Sequence, residues 1–159
     1  MNFTKSKVMT LFVFVVMAAS FGFATPQCKT FVAVQNDKLT SVACPSPIGF
    51  CAAGTFNGNH GFKGNFFFSA VSFDPIPSDT VGRLVVPGVS TYTTTDGVLT
   101  ISDVSVFDTA RSTFAGVGRV TQGTGRFAGA TGDIFTTGRV LPDGVSFVTD
   151  MTGEICLPD

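Results

Sequence analysis

From residue 29 to residue 155 the chain breaks into short runs in which apolar and polar residues alternate, with turn residues between one run and the next. A period of two places successive side chains on opposite faces of a strand, and no stretch of helical period and useful length follows the N-terminal segment. The expected strands are 29–35, 49–57, 62–73, 82–86, 90–95, 98–107, 112–121, 133–140 and 145–155. Asp96-Gly97, ahead of Val98-Leu99-Thr100-Ile101, predicts a hairpin with a type I′ turn, and Pro142-Asp143-Gly144 predicts a second. A meander of eight or nine short strands must close or stack to hide its edges, and closure is the simpler outcome. The expected fold is all-β, a closed antiparallel barrel.

Aromatic content bears on how such a barrel is filled. The chain has 18 phenylalanines, five of them within the first 24 residues, so 13 remain beside one tyrosine and no tryptophan. They must fill a core or line a cavity, because exposing them invites aggregation. In the run from Phe62 to Phe73, alternation puts Phe62, Phe66 and Phe68 on one face and Phe67, Val71 and Phe73 on the other. Both faces are apolar, which predicts that the outer one is covered by a loop, a terminal segment or another subunit.

Residues 1–24 combine Lys5 and Lys7 with the apolar run Val8 to Ala18 and a small-residue region. That pattern predicts a secretory signal peptide cleaved after Ser20 or Ala24, with Ala24 favoured; the alternative is an uncleaved N-terminal anchor. The remaining 135 residues suit one domain, 25–159. Cleavage takes two of the 10 basic residues and none of the 11 acidic ones, leaving a formal charge of −3, which excludes nucleic acid as a partner. No second apolar run reaches membrane-spanning length, so a soluble protein, secreted or periplasmic, is expected. All four cysteines survive cleavage, and in an exported chain an even count implies disulfides. Of three pairings, the short two-proline loop favours Cys44 with Cys51, which leaves Cys28 with Cys156 to tie the ends together. Zinc fits poorly, since the spacing is wrong for a knuckle and the one histidine, His60, sits in a glycine turn.

The stretch Gly116 to Val140 reads as two strands joined by a corner holding Gly123, Gly125, Gly129 and Gly132. Within it, Gly123-Thr124-Gly125-Arg126-Phe127-Ala128-Gly129-Ala130-Thr131-Gly132 resembles the late-strand corner of the allene oxide cyclase and dirigent-like barrel superfamily. The resemblance covers about residues 48 to 156, with only the corner being specific. It implies an eight-stranded antiparallel barrel with an apolar lumen, often in homo-oligomers. It carries no catalytic set: the plant cyclases hold a glutamate in the lumen, and Glu154 is the only glutamate of this chain, close to the expected end of the last strand. The arginines and aspartates that dirigent proteins place around the lumen mouth have no matching motif.

Motifs for other chemistry are lacking. Gly123-Thr124-Gly125 fails as a dinucleotide fingerprint, because the third glycine falls one residue late and no helix follows. There is no Gly-x-Ser-x-Gly elbow, no phosphate loop, and one histidine for any triad; no cofactor is expected. One chemical candidate stands out, Asp103, which shares a strand face with Leu99, Ile101, Ser105 and Phe107. A carboxylate among such neighbours would have a raised pKa suited to proton transfer. Alternatively that face is outside, or Asp103 pairs with Arg119 on the neighbouring strand. The expectation is a barrel that binds a small apolar ligand or a partner without catalysis, with Phe66, Phe68, Leu99, Ile101 and Phe107 toward the lumen; the alternative is a cofactor-free isomerase or stereochemical guide using Asp103.

Overall fold

The computed structural model describes residues 27–158. The expected signal peptide, residues 1–24, lies outside them. Nine strands run in chain order, β1 (Gln27–Leu39), β2 (Cys51–Gly58), β3 (Lys63–Ala70), β4 (Asp74–Pro75), β5 (Arg83–Thr94), β6 (Gly97–Asp108), β7 (Thr113–Gly123), β8 (Thr131–Val140) and β9 (Ser146–Leu157). A 3-10 turn at Gly125–Phe127 joins β7 to β8. Every pairing is antiparallel, β9 returns to β1, and β3 pairs with β5. Eight strands therefore close into an up-and-down barrel, and β4 is a two-residue appendage on β5. An even strand number is what an all-antiparallel ring requires, since an odd one would force a parallel pair.

The two segments expected at 82–86 and 90–95 are one strand, β5. Pro87 does not interrupt it, because its carbonyl accepts the N–H of Val71 just past the end of β3, at 2.8 Å. The N and C=O of a strand residue point to the same side, so the missing N–H faces the end of β3, and the ladder to β6 on the other side loses no bond. The hairpin at Asp96-Gly97 forms as expected, but its turn is not type I′, since neither Thr95 nor Asp96 has positive φ. The expected strand 62–73 stops at Ala70, and beyond it Val71 is exposed while Phe73 folds back to pack on Phe50 with ring centroids 5.0 Å apart. Phe67 alone of the aromatics in β3 faces outward, half-buried. No cover over a doubly apolar strand is therefore required.

The inward parity of each strand divides the lumen into two halves. At the end where β1, β3, β6 and β8 begin, Phe31, Phe56, Phe62, Phe66 and Tyr92 interlock with Leu99, Ile101, Val120, Ile134, Met151 and Ile155. Phe62 is the hub, with centroids 4.9 Å from Phe31, 4.7 Å from Phe56 and 5.8 Å from Tyr92. The glycine corner serves this end. It turns Phe127 inward to meet Phe62 edge-on at 6.1 Å, and Arg126 lies over the Phe127 ring while pairing with Asp96 at 3.2 Å. Gly125 and Gly129 take φ of +58° and +72°, the left-handed conformation that a corner this tight demands.

Both expected disulfides are present, Cys28–Cys156 across the β1–β9 seam and Cys44–Cys51 within the β1–β2 loop. The first closes a loop with a sequence separation of 128, the second one of 7. In the chain-entropy model a closed loop of about 100 residues contributes about 4.7 kcal/mol, and the contribution falls with loop length. Replacing Cys28 and Cys156 together by serine should thus lower the denaturation midpoint more than replacing Cys44 and Cys51, as read by urea titration; equal losses would show that the seam gains nothing from its long-range tie.

Candidate functional site

The other half of the lumen is open. A cavity of about 480 Å³ occupies the end where β1, β3, β6 and β8 finish. Its mouth is aromatic. Phe50 stands at the centre, edge-on to Phe68, Phe73 and Phe147, and Phe114 meets Phe147 from the β7 side. The disulfide loop fixes Phe50. Cys44–Cys51 pins its two ends, and the Ser46 hydroxyl donates to the Ala70 carbonyl at 2.7 Å while accepting the Phe50 N–H at 3.1 Å.

Room for these rings comes from glycines on adjacent strands. A Cβ on Gly88 would meet the Phe68 ring at 2.2 Å, and one on Gly138 would meet the Phe114 ring at 2.3 Å. Each ring thus covers a glycine of the neighbouring strand and lines the cavity wall. Gly118 does the same beside Asp103, where a Cβ would stand 2.9 Å from the aspartate Cβ.

Where the hollow half meets the packed half lies a polar belt. Asp103 points inward from β6, not outward, and Arg119 pairs instead with Asp133 on the barrel's outside at 2.8 Å. Asp103 Oδ2 accepts a short hydrogen bond from the Ser90 hydroxyl, while its Oδ1 is buried and has no hydrogen-bond partner among the described residues. Across the lumen, the Tyr92 hydroxyl donates to Gln35 Oε1 at 3.4 Å, and Gln35 Nε2 donates to Asp37 Oδ1 at 3.1 Å. Thr149, 2% exposed, carries a buried Oγ1 that also lacks a partner. Burial raises both carboxyls to about 6, although Ser90 pulls Asp103 and Gln35 pulls Asp37 the other way. Burial, with the fields of Asp103 and Asp37, pushes the Tyr92 phenol well above its ordinary range, so it remains a donor.

Of the residues expected in the lumen, Phe66, Phe68, Phe107 and Asp103 do line the cavity. Leu99 and Ile101 face inward too but lie lower, fully buried in the packed half and off the cavity wall. Gln35, Asp37, Tyr92 and Thr149 did not emerge from the sequence. The signal for the first two was there: Phe31, Ala33, Gln35 and Asp37 share one parity, but the expected strand ended at residue 35, four residues short of the observed end of β1. No protein-family model matches the chain, and no curated protein or solved structure does so. Function must be argued from this lumen.

The belt sets a pH dependence. A carboxyl at about 6 in the folded chain and 3.8 in the unfolded one binds its proton more tightly when folded. Its contribution to stability is therefore complete below pH 4 and lost as pH rises to about 6, with a slope of up to about 1.4 kcal/mol per pH unit for each group. The acids paired with arginine, Asp79, Asp108 and Asp133, are shifted downward and act only below this window. The melting temperature should fall between pH 4.5 and pH 7, and the double substitution Asp37→Asn, Asp103→Asn should flatten that fall. A wild-type melt that rises or stays level over this range would contradict the burial of the two carboxyls.

Proposed function

We propose that this protein is a secreted barrel that binds a small, largely apolar molecule in its lumen without catalysis. The carrying observation is the half-hollow interior: about 480 Å³ walled by phenylalanine, at one end of a barrel whose other end is solidly packed. Ligand sites for small molecules typically span about 300–1,000 Å³, are mostly apolar and hold a few converging polar groups. Eight strands set a lumen that either fills with side chains or holds one small ligand, and this chain does each at one end. The two disulfides suit an oxidising compartment and support the secretory reading of residues 1–24. The closed eight-stranded antiparallel barrel is also the architecture that the glycine corner led us to expect, and it supports membership of the allene oxide cyclase and dirigent-like superfamily.

A second reading is cofactor-free proton transfer in the same lumen. Asp103 favours it, because a carboxyl at about 6 inside a cavity is placed to give or take a proton near neutral pH. Under that reading the chain is an isomerase or stereochemical guide, and Asp103→Asn abolishes turnover while leaving ligand affinity largely in place.

Binding is tested with N-phenyl-1-naphthylamine, an apolar probe whose fluorescence rises in dry surroundings. The expected result is saturable binding at one probe per chain and a raised melting temperature, about 2.7 kcal/mol of stabilisation at a hundredfold excess over Kd. Val86 is buried and lines the cavity. Val86→Trp should fill the hollow and remove binding from a protein that still melts cooperatively; undiminished binding in that folded variant would place the probe outside the lumen and overturn the proposal.

A further inference from the structure

We propose that the lumen selects lipophilic cations, apolar molecules that carry a protonated amine, with the amine seated at the belt between Asp37 and Asp103 and the apolar body toward the phenylalanine mouth. This deepens the lumen-binding reading and rests on it. The charge inventory of the cavity is one-sided. Among the described residues its titratable groups are Asp37 from β1, Asp103 from β6 and Tyr92 from β5, and no lysine, arginine or histidine lines it. The strands that flank the two acids supply no counter-charge either. Beside Asp103, β5 presents Gly88 and Ser90, and β7 presents Gly118. Beside Asp37, β2 presents Ala52, and β9 presents Phe147 and Thr149.

Acceptor capacity at the belt exceeds what the chain satisfies. Among the described residues Asp103 Oδ1 has no partner, the Thr149 hydroxyl oxygen has none, and Asp37 receives one side-chain hydrogen bond, from Gln35. Buried oxygens that lack a donor are costly, and an ionised carboxylate facing apolar walls without a counter-ion costs more. An ammonium brings three donors and the missing positive charge, so it relieves both costs at once. An alcohol brings one donor and no charge, and a carboxylic acid brings a charge that Asp37 and Asp103 repel. Tyr92 and Gln35 hold Asp37 in place through the chain of hydrogen bonds that ends on Oδ1. Selectivity for an amine is thereby prepared before the ligand arrives. Because both carboxyls take up protons as pH falls through about 6, the preference for an amine weakens in acid.

Decylamine, 1-decanol and decanoate share one alkyl chain and differ in the head group, and each is tested by displacement of N-phenyl-1-naphthylamine from the mature protein. At pH 7.5 decylamine should displace the probe at a concentration at least tenfold lower than 1-decanol, with decanoate weakest, and at pH 5 the gap between amine and alcohol should shrink severalfold. Asp37→Asn with Asp103→Asn should remove the amine's advantage while 1-decanol still competes. Should the double variant fail to fold, the single Asp103→Asn variant and the wild-type pH series decide the matter. Equal potency of amine and alcohol at pH 7.5, or an amine preference that survives loss of both carboxylates, overturns the inference and leaves apolar lumen binding standing. Failure of the probe and of all three competitors to bind the wild type overturns both.

Discussion

The barrel depends on the ladder that β1 and β9 form across the whole length of the chain. It runs from Gln27 opposite Leu157 to Lys38 opposite Ser146, and Cys28–Cys156 locks its outer end. Without that seam the other strands form an open meander with two exposed edges and an apolar face on water. Closing a loop this long is entropically unfavourable, and each doubling of length adds only about 0.6 kcal/mol. The larger part of the closing energy therefore has to come from what the closed ring buries. Phe31, Ala33, Met151 and Ile155, all buried, belong to the two strands of the seam and to the packed core at once.

Closure fixes the width of the lumen, and the sequence meets that width differently at the two ends. In the lower half, rings and branched side chains project inward, and the centroid distances around Phe62 fall within the range where tilted and edge-on aromatic pairs attract. In the upper half, Phe68 and Phe114 lie across Gly88 and Gly138 and line the wall. The same residue type thus plugs one end and lines the other.

The belt between the halves is the least stable part of this arrangement in electrostatic terms. Two carboxyls, a phenol, an amide and two hydroxyls meet at the floor of the cavity, and two buried oxygens among them lack partners among the described residues. A fold selected only for stability would carry apolar residues here, since burying unpaired charge is costly and well-packed hydrophobic replacements are often neutral or favourable. Polar residues that the packing does not need, beside a cavity that the packing does not fill, are the physical basis for reading this level of the barrel as a site.

The local pattern of the sequence determined much of this. Apart from the break expected within β5 and the two-residue β4, alternation and turn residues predict the strands to within a few residues, because the parity of side chains and the demand of turns for glycine, proline and aspartate act over two to four positions. Cysteine spacing led to both bridges, and the in-register row of Leu99, Ile101, Asp103, Ser105 and Phe107 was enough to place Asp103 on one face with apolar neighbours. Tertiary structure alone decided which face that was, that Arg119 answers to Asp133, that Leu99 and Ile101 are packed while Phe107 borders a cavity, and that Gln35 and Asp37 stand across from Asp103. Those facts depend on how far along the barrel axis each strand is shifted against its neighbours. That stagger is set by closure of the whole ring, and no short stretch of sequence contains it.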